Sequence, residues 1–73
     1  MNKYYRFQND EPKLNDHVHC YTDFANFKGF VDMMRQQDPL FGRMKFWEIT
    51  GVYIKPDDGD IVIRVQTVKE IRM

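Results

Sequence analysis

The sequence predicts a small α+β domain with element order β-β-α-β-β: an antiparallel sheet with one helix packed on one face. Three observations predict it. Residues 44–73 read as one long β-hairpin, in which KFWEITGVYI and IVIRVQTVKEI flank a KPDDGD turn. One stretch in the middle of the chain carries apolar residues at helical spacing. Two short segments rich in Tyr, Phe and His come before it. The 73 residues form a single domain.

Residues 3–7 form the first expected strand, because Tyr and Phe suit a half-buried pleated surface. Tyr5 and Phe7 share one face of it, Tyr4 and Arg6 the other. Residues 8–16 are polar, contain Pro12, and read as a loop. Residues 17–21 form the second strand. Val18 and Cys20 turn toward the core, with His17, His19 and Tyr21 opposite.

The helix follows. Thr22 or Asp23 caps it, since a side-chain oxygen there accepts from free backbone N–H groups. Phe24, Phe27, Val31 and Met34 form its apolar stripe, with Phe30 beside them. Gly29 lies mid-helix at a cost of about 1 kcal/mol relative to alanine, which points to close approach of another backbone or to simple tolerance. Asp38-Pro39 ends the helix, because the residue before proline avoids the α region. Residues 40–43 are a connector.

In the hairpin, Trp47 and Ile49 share a face that Val52 and Ile54 continue, but with the parity changed from odd to even. One extra residue repairs the alternation, so a β-bulge is expected at Thr50-Gly51. Pro56, Asp57, Asp58 and Gly59 fit a type I turn closed by a left-handed glycine, as in a three-residue hairpin loop. Ile61, Ile63 and Val65 face inward, and Val62, Arg64 and Gln66 outward. The alternation blurs after Thr67, where Val68 and Ile71 are three apart, so pairing is expected to fray or bend there.

Composition narrows the class. A chain this short buries only about 60% of its unfolded surface, and a single cysteine supplies neither a disulfide nor a Cys-based zinc framework. Six Phe, four Tyr, one Trp and five Met supply the core instead, at about 150–250 Å² per ring. Eleven basic residues balance eleven acidic ones, which argues against a general polyanion binder. The longest apolar runs are too short to span a membrane. The first dozen residues lack the apolar region of a signal peptide. An unpaired cysteine fits a reducing compartment, so the expected location is the cytoplasm.

Sites of chemistry are few. His17 and His19 project the same way from a strand and can face one metal ion. Zinc needs three or four protein ligands, however, and only Asp16, Asp23 or a hairpin carboxylate is available to complete the set; no metal or other cofactor is expected. There is no serine, which excludes a Ser–His–Asp triad. Cys20 points to the core, away from both histidines, and sequence neighbours do not make a catalytic dyad. Gly29, Gly42, Gly51 and Gly59 are scattered and form no phosphate cradle. The carboxylate pairs Asp10-Glu11 and Asp57-Asp58 lie in loops, where turn formation explains them. No catalytic residue is assigned, and the chain is not expected to be an enzyme.

The run YYRF, then CYTDFANF opening a helix, then FWEITG and IVIRVQTVKEI, resembles the core of small phage-encoded and bacterial domains. Some of these have an ADP-ribosyltransferase-like fold, in which a Tyr-Arg strand and an aromatic-Thr-Asp helix start precede a strand like WEI. The resemblance implies that Arg6 and Glu70 stand at the outer positions of that family's catalytic pattern. The Ser-Thr-Ser element between them is missing, so the resemblance implies a shared fold without transferase chemistry.

The function expected is therefore that of a small non-catalytic interaction or regulatory protein. A phage or mobile-element protein that binds and modulates a host macromolecule, such as a defence factor, fits this class. Interface hot spots favour Trp, Tyr and Arg. The expected contact residues are Tyr4, Tyr5, Tyr53 and Arg64, with the acidic turn Asp57, Asp58 and Asp60 as a second patch. The alternative is nucleic-acid or nucleotide binding by the sheet face opposite the helix, where Tyr4, Arg6, Tyr21, Tyr53 and Arg64 gather with His17 and His19. A homodimer through an unpaired strand edge is a further expectation.

Overall fold

The computed structural model describes residues 2–57 and 60–72. The observed elements are β1 (Tyr4–Phe7), β2 (His17–Cys20), α1 (Phe24–Gln37), a 3-10 helix (Pro39–Arg43), β3 (Phe46–Asp57) and β4 (Asp60–Ile71). The fold is the expected α+β arrangement, a four-stranded antiparallel sheet of order β1-β3-β4-β2. The expected three-residue hairpin loop rests on Asp58 and Gly59, which lie outside the described residues.

The sheet curls until its two edges meet. Just past β2, Tyr21 pairs with Tyr5 of β1 through two backbone hydrogen bonds, Tyr5 N–H to Tyr21 O at 2.8 Å and Tyr21 N–H to Tyr5 O at 2.7 Å. Lower on the same seam, the Arg6 guanidinium donates to the His19 carbonyl at 2.6 Å. Curling divides the core in two. The concave face is filled from all four strands by Tyr4, Val18, Cys20, Trp47, Ile49, Ile63 and Val65. The convex face carries α1, whose Phe27 and Val31 are fully buried against Phe41 and Phe46. Tyr5, Phe7, Tyr21 and Phe30 complete this outer cluster, and the Phe27 ring lies 5.7 Å from Tyr5 and 5.6 Å from Tyr21. Alternation along β1 therefore sends Tyr4 to the inner core and Tyr5 and Phe7 to the outer one, while along β2 it sends Val18 and Cys20 inward and leaves His17 and His19 exposed. The helix rides over the seam rather than over the middle of a flat sheet.

Local chemistry fixes the element ends. Asp23 caps α1, its carboxylate accepting from the Ala25 amide at 2.9 Å. Asp38 ends α1 and also caps the 3-10 helix, accepting from the Leu40 amide at 2.9 Å. That short helix swings Phe41 into the outer core, at 6% exposure; sequence reading leaves this residue in a connector. A methyl group added at Gly29 meets open space, so tolerance, and not close backbone approach, accounts for this glycine. Asn15, at φ 70°, turns the loop into β2, a conformation asparagine tolerates better than most residues. The loop is then tied down by hydrogen bonds from Asn15 N–H to Val65 O and from Val65 N–H to Asp16 O.

The hairpin register breaks at Thr50-Gly51, as the parity change predicts, and again between Tyr53 and Lys55. The details correct the expectation. Thr50 faces Thr67 and Gly51 faces Val65, so the extra residue at the first break is Gln66, on β4. Tyr53 faces Ile63 and Lys55 faces Val62, so the extra residue of β3 is Ile54. Val52 and Ile54 consequently do not continue the inward face; both are exposed. The three-residue spacing of Val68 and Ile71 is likewise no fraying, since β4 stays paired to the end, with Ile71 opposite Phe46. Val68 packs into the inner core, whereas Ile71 packs into the outer one. The inner face of β4 passes from odd residues to even across the Gln66 bulge.

Candidate functional site

β1 pairs with β3 only from Phe46 to Ile49. Among the described residues, the remainder of β3, residues 50–57, is paired along one edge by β4 and is open along the other. On that open stretch Val52, Tyr53 and Ile54 are all exposed, at 36%, 51% and 40%. Lys55, Pro56 and the bulge at Ile54 blunt the far end of this edge, and the apolar run stands just before them, beside the gap.

The gap is a cleft of about 670 Å³ lined by Lys3, Tyr4 and Tyr5 from the β1 end and by Tyr53 of β3. A second cleft, about 280 Å³, lies between Pro56 and Asp60 of the hairpin and Asp23 and Asn26 at the start of α1. Thr22 and Ile61 line both. The larger cleft falls within the size range of ligand pockets, which favour the mouths of β-barrels.

The residues singled out from the sequence do not assemble on one face. Tyr4 is 6% exposed and packs into the inner core, so the expectation of a surface tyrosine there is corrected: its phase on β1 turns it into the curl. Tyr5 is half-buried against Phe24 and Phe27 and touches the large cleft with part of its surface. Tyr53 is opposite the inward Ile63, whereas Arg64 is opposite Val52 on one side and His17 on the other. Paired residues share a face, so Tyr53 and Arg64 point to opposite faces. Arg6, opposite Trp47, belongs to the inner face and is engaged by the His19 carbonyl and the Gln8 side chain. Tyr21 is packed in the outer aromatic cluster. The aromatic and basic platform expected opposite the helix is thus not assembled; its members are divided between the two faces of the sheet.

Asp60 is half-buried, with its carboxylate 3.4 Å from Nδ1 of the exposed His19. Burial first, and the Asp60 charge second, raise the Tyr21 phenol above its ordinary range. Asp58 lies outside the described residues, and Asp57 is described as the last residue of β3. His17 is exposed on the outer face. Among the described residues no three His, Cys, Asp or Glu side chains converge as a metal site.

Cys20 is fully buried in the inner core. Burial pushes its thiol up to about 12, outweighing the opposing influence of Arg6, with Asp60 adding to the rise. A thiol held protonated in this way is a packing residue and not a nucleophile.

The sequence reading missed Thr22, Ile61 and Pro56 as cleft residues, and Val52 and Ile54 as exposed ones. The available signal was the unbroken apolar run at residues 52–54, which fits neither face of an alternating strand. Among the described residues no helix is long and apolar enough to cross a membrane. Comparison with protein-family models, curated proteins and solved structures finds no match for the chain.

Proposed function

We propose that this is a small non-catalytic interaction protein that docks another protein along the distal half of its hairpin. The observation that carries this reading is the exposed run Val52, Tyr53 and Ile54 on the open edge of β3, beside the cleft of about 670 Å³. An open strand edge offers unpaired N–H and C=O groups, and exposed aromatic and aliphatic side chains offer desolvation, so together they meet the needs of strand-addition binding. The buried, protonated state of Cys20 supports a role without nucleophilic chemistry. A phage or mobile-element protein acting on a host factor belongs to this class.

The test is affinity capture from the native cell extract with immobilised wild-type protein and with Tyr53→Ala. A protein retained by the first and lost by the second is the expected result. Equal retention removes the hairpin from the interface. Binding of single-stranded DNA that weakens steeply with salt would transfer the function to nucleic acid.

A further inference from the structure

The two clefts beside the hairpin adjoin along Thr22 and Ile61, which line both, in a two-part groove. Its charge is divided between its ends. The large end holds Lys3, whose Nζ lies 3.3 Å from Glu48 while its side chain remains 59% exposed; an ammonium has three donors, and one contact leaves others for a ligand. The small end holds Asp23 and Asp60 and, among the described residues that line it, no cationic side chain. Asp23 uses Oδ1 to cap the helix and Asp60 directs Oδ1 toward His19, which leaves Oδ2 of each for a ligand. Tyr53 and Tyr4 line the large end, and Ile61 lines both. A folded surface does not enter a groove of this kind, whereas an extended chain does, and the open edge of β3 presents main-chain groups next to it.

We propose that the groove takes an extended peptide segment: an acidic residue at Lys3, a large apolar side chain between Tyr53 and Ile61, and a basic residue at Asp23 and Asp60. This rests on the docking reading above and adds the chemistry of the partner. A nucleic-acid strand is disfavoured by the two carboxylates, which repel phosphate.

The experiment is a titration of isotope-labelled protein, followed through its backbone amide resonances, with three capped synthetic pentapeptides. The first has glutamate, alanine, phenylalanine, alanine and arginine in that order. The second replaces both charged ends by glutamine, and the third replaces the phenylalanine by alanine. The first is expected to shift the amides of Thr22, Tyr53 and Ile61 and to bind at least about fivefold more tightly than either of the others, a gain within reach of two exposed ion pairs or one buried ring. In Asp60→Asn, which keeps the shape of the side chain, the charged peptide is expected to lose part of that advantage. Equal binding of all three peptides, shifts confined to the outer face of α1 or of β4, or no shift at millimolar peptide overturns the proposal. These outcomes are separable from failure of the docking reading. Loss of peptide preference with Tyr53-dependent capture intact removes only the groove occupant. Capture that ignores Tyr53 removes the docking surface itself.

Discussion

Tyr5 and Tyr21 exchange backbone hydrogen bonds across the two edges of the sheet, at 2.8 and 2.7 Å, and their rings pack on the same side against Phe27. One residue pair thus closes the sheet and seats the helix. The consequence is measurable by hydrogen exchange. The amides of Tyr5 and Tyr21 are expected among the slowest-exchanging, although β1 is only four residues long and Tyr21 lies just past the end of β2. Exchange as fast as that of residues 8–16 would show that the seam opens independently of global unfolding.

Phe27 is fully buried where both tyrosine rings converge. Phe27→Ala is expected to cost about 3–5 kcal/mol, the usual range for a large aromatic in a core. In a domain this small that loss approaches the whole stability, so denaturant titration should find the variant largely unfolded.

Two glycines give opposite signs. At Gly51 an added methyl carbon would stand 2.0 Å from the Arg64 carbonyl oxygen and 2.7 Å from Ile63. Gly51→Ala should therefore destabilise by about 3 kcal/mol or more, because backbone cannot yield as a side chain does. At Gly29 the same addition meets nothing, and Gly29→Ala should stabilise by about 1 kcal/mol through helix propensity. Chemical denaturation of the two variants checks both signs. A neutral Gly51→Ala would remove the close approach on which the bulge rests.

The parity change that predicted a bulge was legible in the apolar pattern, but the strand that carries the extra residue was not. Period-two alternation records which face a side chain takes, and a shift in one strand can be absorbed by a bulge in its partner. Here β4 bulges at Gln66 and β3 at Ile54, so the inward residues of β3 stay odd across the first break, and the even Val52 and Ile54 that suggested a parity change are exposed apolar residues. The helix with its Asp23 cap and Asp38-Pro39 stop was legible because capping chemistry is local. Curling of the sheet was not, because the pairing of Tyr5 with Tyr21 is set by packing across the chain. That is also why the burial of Tyr4 escaped the sequence: alternation placed it opposite Tyr5, and only the curl turned that face into a core.

The buried thiol of Cys20 makes stability depend on alkaline pH. Its ordinary value is 9.0 and its folded value about 12. The folded pKa is raised, so the stabilising contribution is complete below 9 and is lost progressively as pH rises from there toward 12. Within that window the loss approaches about 1.4 kcal/mol per pH unit. The phenol of Tyr21 shifts in the same direction. Melting temperatures measured between pH 8 and alkaline conditions should fall more steeply for the wild type than for Cys20→Ala. Parallel curves would show that Cys20 is not held in the neutral form.

The most direct test of the docking surface exploits the two faces of the hairpin. Tyr53 and Arg64 are both exposed, but on opposite faces, so one interface centred on the hairpin edge and groove engages the first and not the second. Calorimetric titration of a captured partner into wild type, Tyr53→Ala and Arg64→Ala measures this. Both variants should keep wild-type stability to within about 0.5 kcal/mol, as surface substitutions usually do. Tyr53→Ala is expected to lose about 2 kcal/mol of binding, the size of an aromatic hot spot, and Arg64→Ala is expected to bind like wild type. Loss of binding in Arg64→Ala with Tyr53→Ala unaffected would place the interface on the outer face and contradict the account.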